Sequence, residues 1–287
     1  MQERVVIIGA SGQLGRLIKD IAPANLELHA FDFNGFDISN LTQHRSLYEE
    51  LAPTTIINTA GYTQVDKAES EQEAAFAVNA EGPANIAKAC PENCRIIHIS
   101  TDFIFDGEKQ TPYMPNDLAL PLSAYGASKL AGEEKLLAIR PDSSIIRTAW
   151  LYSAQGKNFM NTMLKLMVER DDLAIVNDQI GTPTSAHTLA EVLWRFVANR
   201  ELQGIYHWTD QGVASWYDFA VEIQQQALSL GLLDKNISLR AIRTKEYPTP
   251  AQRPKYSVLD KGETYKAIQF QGKRWEEELN TVLRQKS

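Results

Sequence analysis

Short runs of β-branched residues alternate with amphipathic stretches through the first half of the chain. Arg4-Val-Val-Ile-Ile reads as a strand, and a glycine turn leads from it into a helix over about Leu14 to Ala22. Leu26 to Phe31 reads as a second strand, followed by a helix that Ser39 can cap and that ends before Pro53. Thr55-Ile-Ile-Asn is the next strand, a helix spans about Glu71 to Cys90, and Arg95-Ile-Ile-His-Ile-Ser is a strand again. Tyr125 to Ile139 is helical in pattern, and Ser144-Ile-Ile-Arg closes the series. Continuously apolar strands separated by helices indicate a parallel sheet covered on both faces. Right-handed crossovers then give a doubly wound, Rossmann-type α/β fold.

Beyond Trp150 the pattern loosens. Phe159 to Glu169 is helical, Leu173 to Val176 is a strand, and Thr188 to Asn199 is amphipathic. Ser215 to Leu230 begins another helix, and the C-terminal stretch is rich in Pro and aromatic residues. The expected organisation is a dinucleotide-binding domain over residues 1–150, with 173–200 returning to it, and a smaller, mainly substrate-binding lobe over 151–287.

The length, 287 residues, suits that arrangement and a substantial core. The formal net charge of −7 is scattered, which argues against a general nucleic-acid or anionic-membrane binder. A strand begins almost at residue 1, no signal peptide is read, and no apolar run is long enough to span a bilayer, so a cytoplasmic location is expected. Cys90 and Cys94 lack the further ligands of a zinc site and read as reduced thiols near a helix end. The five histidines are dispersed, with no HExxH pattern, and no catalytic metal is expected.

The first strand runs into Gly9-Ala-Ser-Gly12-Gln13-Leu14-Gly15. Glycine is needed where a chain turns sharply and where backbone approaches a pyrophosphate, and a helix starting near Leu14 offers free N–H groups to that anion. The spacing G-x-x-G-x-x-G differs from the usual G-x-G-x-x-G, and three glycines can also serve only a tight turn; the weight lies in the strand–turn–helix context. Asp32 closes the second strand about twenty residues on, where an acid binds ribose hydroxyls; the alternative is a solvated loop acid. Asp37 and Ile38 are candidates to border the adenine, and Asn58-Thr-Ala60-Gly ends a strand at the same sheet edge.

Tyr125-Gly-Ala-Ser-Lys129 opens a helix, and residues four apart share a face. A cation beside a phenol lowers its pKa and poises it for proton transfer. Ser100-Thr101-Asp102 ends the preceding strand and can present a hydroxyl to the same substrate oxygen. Tyr-x-x-x-Lys alone is common as a surface pair; here it coincides with the glycine turn, Asn79 and Ser100-Thr101-Asp102.

With these motifs the chain resembles the extended short-chain dehydrogenase/reductase superfamily and, within it, the dTDP-4-dehydrorhamnose reductase family. The segments that carry the narrower likeness are Tyr62-Thr-Gln-Val-Asp-Lys-Ala-Glu69, Ser100-Thr-Asp-Phe-Ile-Phe-Asp-Gly107, Arg147-Thr-Ala-Trp150, Asn177-Asp-Gln-Ile-Gly-Thr-Pro-Thr184, Ser215-Trp-Tyr-Asp-Phe-Ala220 and Pro248-Thr-Pro-Ala-Gln-Arg-Pro254. The resemblance implies an oxidoreductase that uses NADH or NADPH to reduce the C4 ketone of a dTDP-linked sugar. It implies catalysis by Thr101, Tyr125 and Lys129, with Asp102 assisting at the sugar, and a cofactor site over Gly9, Gly12, Gln13, Leu14, Gly15, Asp32, Asp37, Ile38, Asn58, Ala60, Asn79, Tyr125 and Lys129. Val65, Phe103 and Trp150 are implied at the sugar and Arg253 at the nucleotide, although Trp150 also suits a packed core aromatic and Arg253 a surface ion pair. Phe103 stands where many members carry Tyr. Leu17 and His187 stand where some members carry magnesium-binding acids at a dimer contact, so the metal-bridged dimer is not expected here and a metal-free homodimer stays open. A nucleotide sugar is the expected partner, with no nucleic acid and no membrane. Two alternatives remain: a reductase of another nucleotide-linked 4-keto-6-deoxy sugar, and a non-catalytic, cofactor-binding subunit like the regulatory one of methionine adenosyltransferase.

Overall fold

The computed structural model describes residues 3–286. Its centre is a sheet of six parallel strands. In chain order, β1 is Arg4–Ile8, β2 Glu27–Phe31, β3 Thr55–Asn58, β4 Arg95–Thr101 and β5 Ser144–Thr148; the sixth strand, Gly204–His207, lies outside β5. The spatial order is sixth strand, β5, β4, β3, β1, β2, so the strand order reverses between β1 and β3. Ligand crevices in such sheets open at the carboxyl ends of the strands beside this reversal.

The apolar runs form strands because both faces are buried. Val5, Ile7, Ile57, Ile97 and Ile146 pack on one side against Leu14 and Ile18 of helix α1 (Gln13–Asp20) and against Leu189, Leu193 and Phe196 of the helix Ala186–Ala198. Their neighbours Val6, Ile8, Ile56, Ile96 and Ile145 face the other way, onto Tyr48 of helix α2 (Leu41–Leu51), Ile86 and Leu136. Burying each such side chain contributes about 1.5–3 kcal/mol.

Two local expectations shift. The cap of α2 is Asn40, whose Oδ1 accepts from the amides of Thr42 and Gln43, while Ser39 is engaged by Asp37. The helix expected over 71–90 is interrupted: Gln72–Phe76 and Gly82–Ala89 are α-helical, and Ala77–Glu81 between them is a π-turn that carries Asn79. Such turns recur near functional sites because the widened turn redirects backbone groups.

The second core gathers Met160, Met163 and Met167 of the helix Phe159–Glu169, Phe219 and Ile223 of the helix Trp216–Ser229, and Trp275 and Leu279 of the helix Trp275–Arg284. Strand Asp172–Val176 belongs to this lobe, paired in parallel with Ser238–Ile242. Among the described residues no helix is long and apolar enough to cross a membrane, and both cysteines are free thiols.

Candidate active site

The glycine turn is built for close backbone approach. Gly9 sits at φ +93°, and a Cβ there would lie 2.6 Å from the Ala60 amide nitrogen and 2.7 Å from Thr59 Oγ1. A side chain at Gly15 would run into the Gly9 carbonyl and come within 2.8 Å of Ala10 Cα. Gly12 is the N-cap of α1, with no side-chain cap and no acid in the first turn. The first-turn amides therefore keep their donor capacity and the positive dipole end is not neutralised, which fits a pyrophosphate. Leu14 is buried beneath the turn, and Gln13 Oε1 accepts from Ser153 Oγ at 2.9 Å and Asn158 Nδ2 at 2.7 Å, tying the turn to the second lobe.

The amides of Gly9 and Ala10 both donate to the Phe31 carbonyl at 2.9 Å, so Asp32 is set directly beside the turn. Its Oδ1 accepts from the Asn34 amide, and the loop through Asp37 carries no Lys or Arg. Asp37 is held by Ser39, while Ile38 is buried against Gly82 in the core, with its carbonyl accepting from His44 Nε2 at 2.8 Å. Asn58 points inward: Oδ1 accepts from the Ala60 amide at 3.1 Å, and Nδ2 lies 3.0 Å from His98 Nδ1. Asn79 is a buried tie. Its amide group exchanges hydrogen bonds with the Tyr62 backbone at 2.8 and 3.0 Å, and Nδ2 also donates to Ser128 Oγ at 2.9 Å.

The catalytic candidates converge at the carboxyl end of β4. Thr101 and Asp102 are buried there, and Thr101 Oγ1 donates to Asp102 Oδ1 at 3.1 Å. Burial pushes the Asp102 carboxyl up to about 6. Ser123 caps the helix Ala124–Ile139, whose first turns carry Tyr125 and Lys129. Phe103 packs edge-on against the Tyr125 ring at 5.6 Å. The Tyr125 phenol is pushed up to about 12, mainly by burial; a hydrogen bond with Thr101 opposes this and the charge of Asp102 adds to it. The expected lowering of the phenol by Lys129 is thus corrected, because burial dominates and the lysine is engaged elsewhere. Lys129 Nζ donates to the Ile99 carbonyl at 2.7 Å and lies 3.4 Å from His98 Nε2. Burial pulls Lys129 down to about 8, with Glu133 opposing. Behind it, Glu133 makes a buried, bidentate pair with Arg147.

A cleft of about 760 Å³ has Asp66, Phe159, Gln179, Trp216 and Arg253 in its wall. Val65 opens the short helix Val65–Ala68 that also supplies Asp66. Trp150, at φ +48°, stacks on Trp216 with ring centroids 3.5 Å apart and planes 7° from parallel. Arg253 grips Asp66 through both guanidinium nitrogens at 3.0 and 2.8 Å, and Asp66 also accepts from the Ala251 amide. Trp216 and Asp66 lie within the segments that carry the family likeness, yet their contacts are with partners 66 and 187 residues away along the chain, as Trp216 follows Trp150 and Arg253 follows Asp66. Leu17 is half-buried against the first core, and His187 pairs with Glu191 at 3.5 Å.

A family model described as RmlD substrate binding domain matches residues 3–287. The chain is 40% identical over 287 residues to the dTDP-4-dehydrorhamnose reductase of Aggregatibacter actinomycetemcomitans, covering 97% of this chain and 98% of that one. Among solved structures, the dTDP-4-dehydrorhamnose reductase of Clostridium acetobutylicum superimposes with a TM-score of 0.92 at 39% identity, over 98% of this chain and 99% of that one. That of Bacillus anthracis, in complex with NADP, gives a TM-score of 0.94 at 34% identity, over 99% and 100% of the two chains.

Proposed function

The chain belongs to the RmlD substrate binding domain family, and from that membership we propose that it reduces the C4 ketone of dTDP-4-dehydro-L-rhamnose to dTDP-L-rhamnose, using NADH or NADPH. The observation that carries the reading is the convergence of Thr101, Tyr125 and Lys129 on the sheet edge that also bears the glycine turn. The nicotinamide supplies hydride to the carbonyl carbon when bound. Gly9, Gly12 and the first-turn amides of α1 hold the pyrophosphate, and Asp32 takes the adenosine ribose. Tyr125, with a phenol raised to about 12, is protonated at neutral pH and gives its proton to the carbonyl oxygen. Thr101 orients that oxygen, and Lys129 holds the nicotinamide ribose. Val65, Phe103 and Trp150 wall the sugar, Asp102 assists there, and Arg253 meets the diphosphate.

The test is turnover of dTDP-4-dehydrorhamnose by the purified protein, with the product identified, beside Tyr125→Phe. The ring and the fold survive that change, and turnover is expected to fall by about 10²- to 10⁴-fold with cofactor affinity retained. Wild-type-like turnover in Tyr125→Phe sinks the assignment of the proton donor. A protein that binds NADH or NADPH yet turns over no 4-keto nucleotide sugar sinks the reductase reading.

A further inference from the structure

A polar side chain buried in the middle of a central strand needs a partner. His98 is such a residue: it is wholly buried in β4, between β3 and β5. Burial and the charge of Lys129 hold its ring well below the ordinary histidine range, so it is neutral. Its protonation pattern follows from donor and acceptor counting. The Ala60 amide has a hydrogen to give and reaches Asn58 at 3.1 Å, which fixes that end of the Asn58 amide as the oxygen. The other end, Nδ2, carries only hydrogens and faces His98 Nδ1 at 3.0 Å. Nδ1 must accept, so the single ring hydrogen sits on Nε2. Nε2 faces Lys129 Nζ at 3.4 Å. An ammonium has no lone pair to receive that hydrogen, whereas an amine does.

We propose that Asn58 and His98 form a positioning pair behind Lys129, in which Asn58 fixes His98 as an N–H donor and His98 stabilises the amine form of Lys129. The proposal rests on the reductase reading for its use. Hydride adds to the carbonyl carbon, the C=O electron pair moves to oxygen, and the Tyr125 O–H bond breaks to protonate it. The resulting phenolate regains a proton that bridging water relays from the Lys129 ammonium, leaving an amine whose lone pair accepts from His98, and solvent water later returns the proton to the lysine. The other charges bearing on the site are Glu133, which favours the ammonium and is itself paired with Arg147, and Asp102, which acts on Tyr125. His98 and Asn58 are neutral on the lysine's inner side, so their hydrogen-bond polarity decides which lysine form they support.

Long-range proton–nitrogen correlation spectra of the ¹⁵N-labelled wild type, with Lys Cε labelled in ¹³C, test this without substrate. The expected result is His98 bare at Nδ1 and protonated at Nε2, with the Nε2 signal shifting at the same midpoint as Lys129 Cε. An Nδ1–H ring, or an Nε2 signal that stays flat while Lys129 titrates, overturns the proposal. Asn58→Asp replaces a donor by an acceptor, so Nδ1 should gain the hydrogen, bare Nε2 should turn to the lysine, and the Lys129 midpoint should rise by about one unit or more, tenfold in proton affinity. An unchanged tautomer in a folded Asn58→Asp also overturns it; if that variant does not fold, the wild-type spectra decide alone. His98→Gln gives a kinetic check: the pH profile of kcat should shift with KM for the nucleotide sugar within about twofold, whereas an unshifted profile identifies a purely structural histidine. Absence of turnover in the wild type would count against the reductase reading while leaving the spectral result to stand or fall by itself.

Discussion

The Asp66–Arg253 pair makes the proposed nucleotide contact testable by opposite substitutions. Arg253 is the cation proposed for the diphosphate, yet its guanidinium is gripped in bidentate fashion by Asp66 at 3.0 and 2.8 Å. A diphosphate must share or displace that carboxylate. Arg253→Ala removes the cation; losing a charge-assisted contact costs about 1.5–3 kcal/mol, so KM for the nucleotide sugar should rise roughly ten- to hundredfold. Asp66→Asn keeps the shape and removes the competing charge, so KM should hold or fall, by at most about fivefold for an exposed pair worth ~1 kcal/mol or less. Both side chains are partly exposed, at 23% and 41%, so neither change should unfold the protein. A loss of about 1 kcal/mol moves the melting point of a chain this size by roughly 2–4 °C. The Arg253 hydrogen bonds hold the Asp66 carboxyl below its ordinary range. Its contribution to stability is therefore complete above the unfolded carboxylate pKa and is lost as pH falls through the lower, folded value, a window below about pH 4. Initial-rate kinetics at neutral pH and low salt read the result. If Asp66→Asn raises KM as far as Arg253→Ala does, the intact ion pair builds the site, and the competition argument fails.

Gly15→Ala drives a Cβ into the Gly9 carbonyl and to 2.8 Å from Ala10 Cα, so cofactor titration should show affinity lost by tenfold or more, about 1.4 kcal/mol; unchanged affinity would mean the turn yields without consequence. With Asp32 beside the turn and no Lys or Arg through Asp37, NADH should be used at least as well as NADPH, and a kcat/KM for NADPH more than about tenfold above that for NADH would place a phosphate partner such as Arg16 at the ribose. Leu17 offers Mg²⁺ no oxygen ligand, so EDTA should leave activity and assembly unchanged; loss of a dimer on chelation, restored by magnesium, would contradict that.

The sheet was legible because burial on both faces makes β1, β3, β4 and β5 continuous apolar runs. The sixth strand, Gly-Ile-Tyr-His, pairs only with β5 at the sheet edge and is too short to stand out by composition. Strand Ser238–Ile242 is mostly exposed, so no apolar period announces it. The glycine turn and the Tyr125–Lys129 pair are local in sequence and could be read from spacing. His98 left a signal too, as the one polar interruption in Ile96-Ile97-His98-Ile99, but its partners sit 40 and 31 residues away. Asp66 and Trp216 are ordinary surface and helix residues until their cross-lobe partners are known. The Tyr125 phenol was misjudged because spacing reports a neighbouring lysine and is silent on burial, which proves the larger effect.

Three contacts join residues 1–150 to the second lobe: Gln13 with Ser153 and Asn158, Trp150 with Trp216, and Asp66 with Arg253; of these residues Asp66, Trp216 and Arg253 also line the cleft. Trp150 holds a left-handed backbone at φ +48°, a conformation that costs a non-glycine residue about 1–2 kcal/mol. Its ring is kept there by the parallel stack on Trp216 and by Gly181, where a Cβ would come within 2.8 Å of Trp150 Cε2. Aromatic pairs contribute about 0.5–1.5 kcal/mol beyond their burial, so the stack offsets much of the strain. Strain maintained against a residue that lines the cleft is more economically explained by the placement of the ring than by stability, since relaxing the backbone would swing the indole off Trp216. On the proposed reaction Trp150 walls the sugar, so its stack on Trp216 bears on the distance between the sugar carbon and the hydride donor, a quantity to which rate is far more sensitive than fold stability is. On that proposal the residues that join the two lobes help to fix the reacting geometry, and because their partners are distant in sequence such a role emerges only when the lobes are assembled.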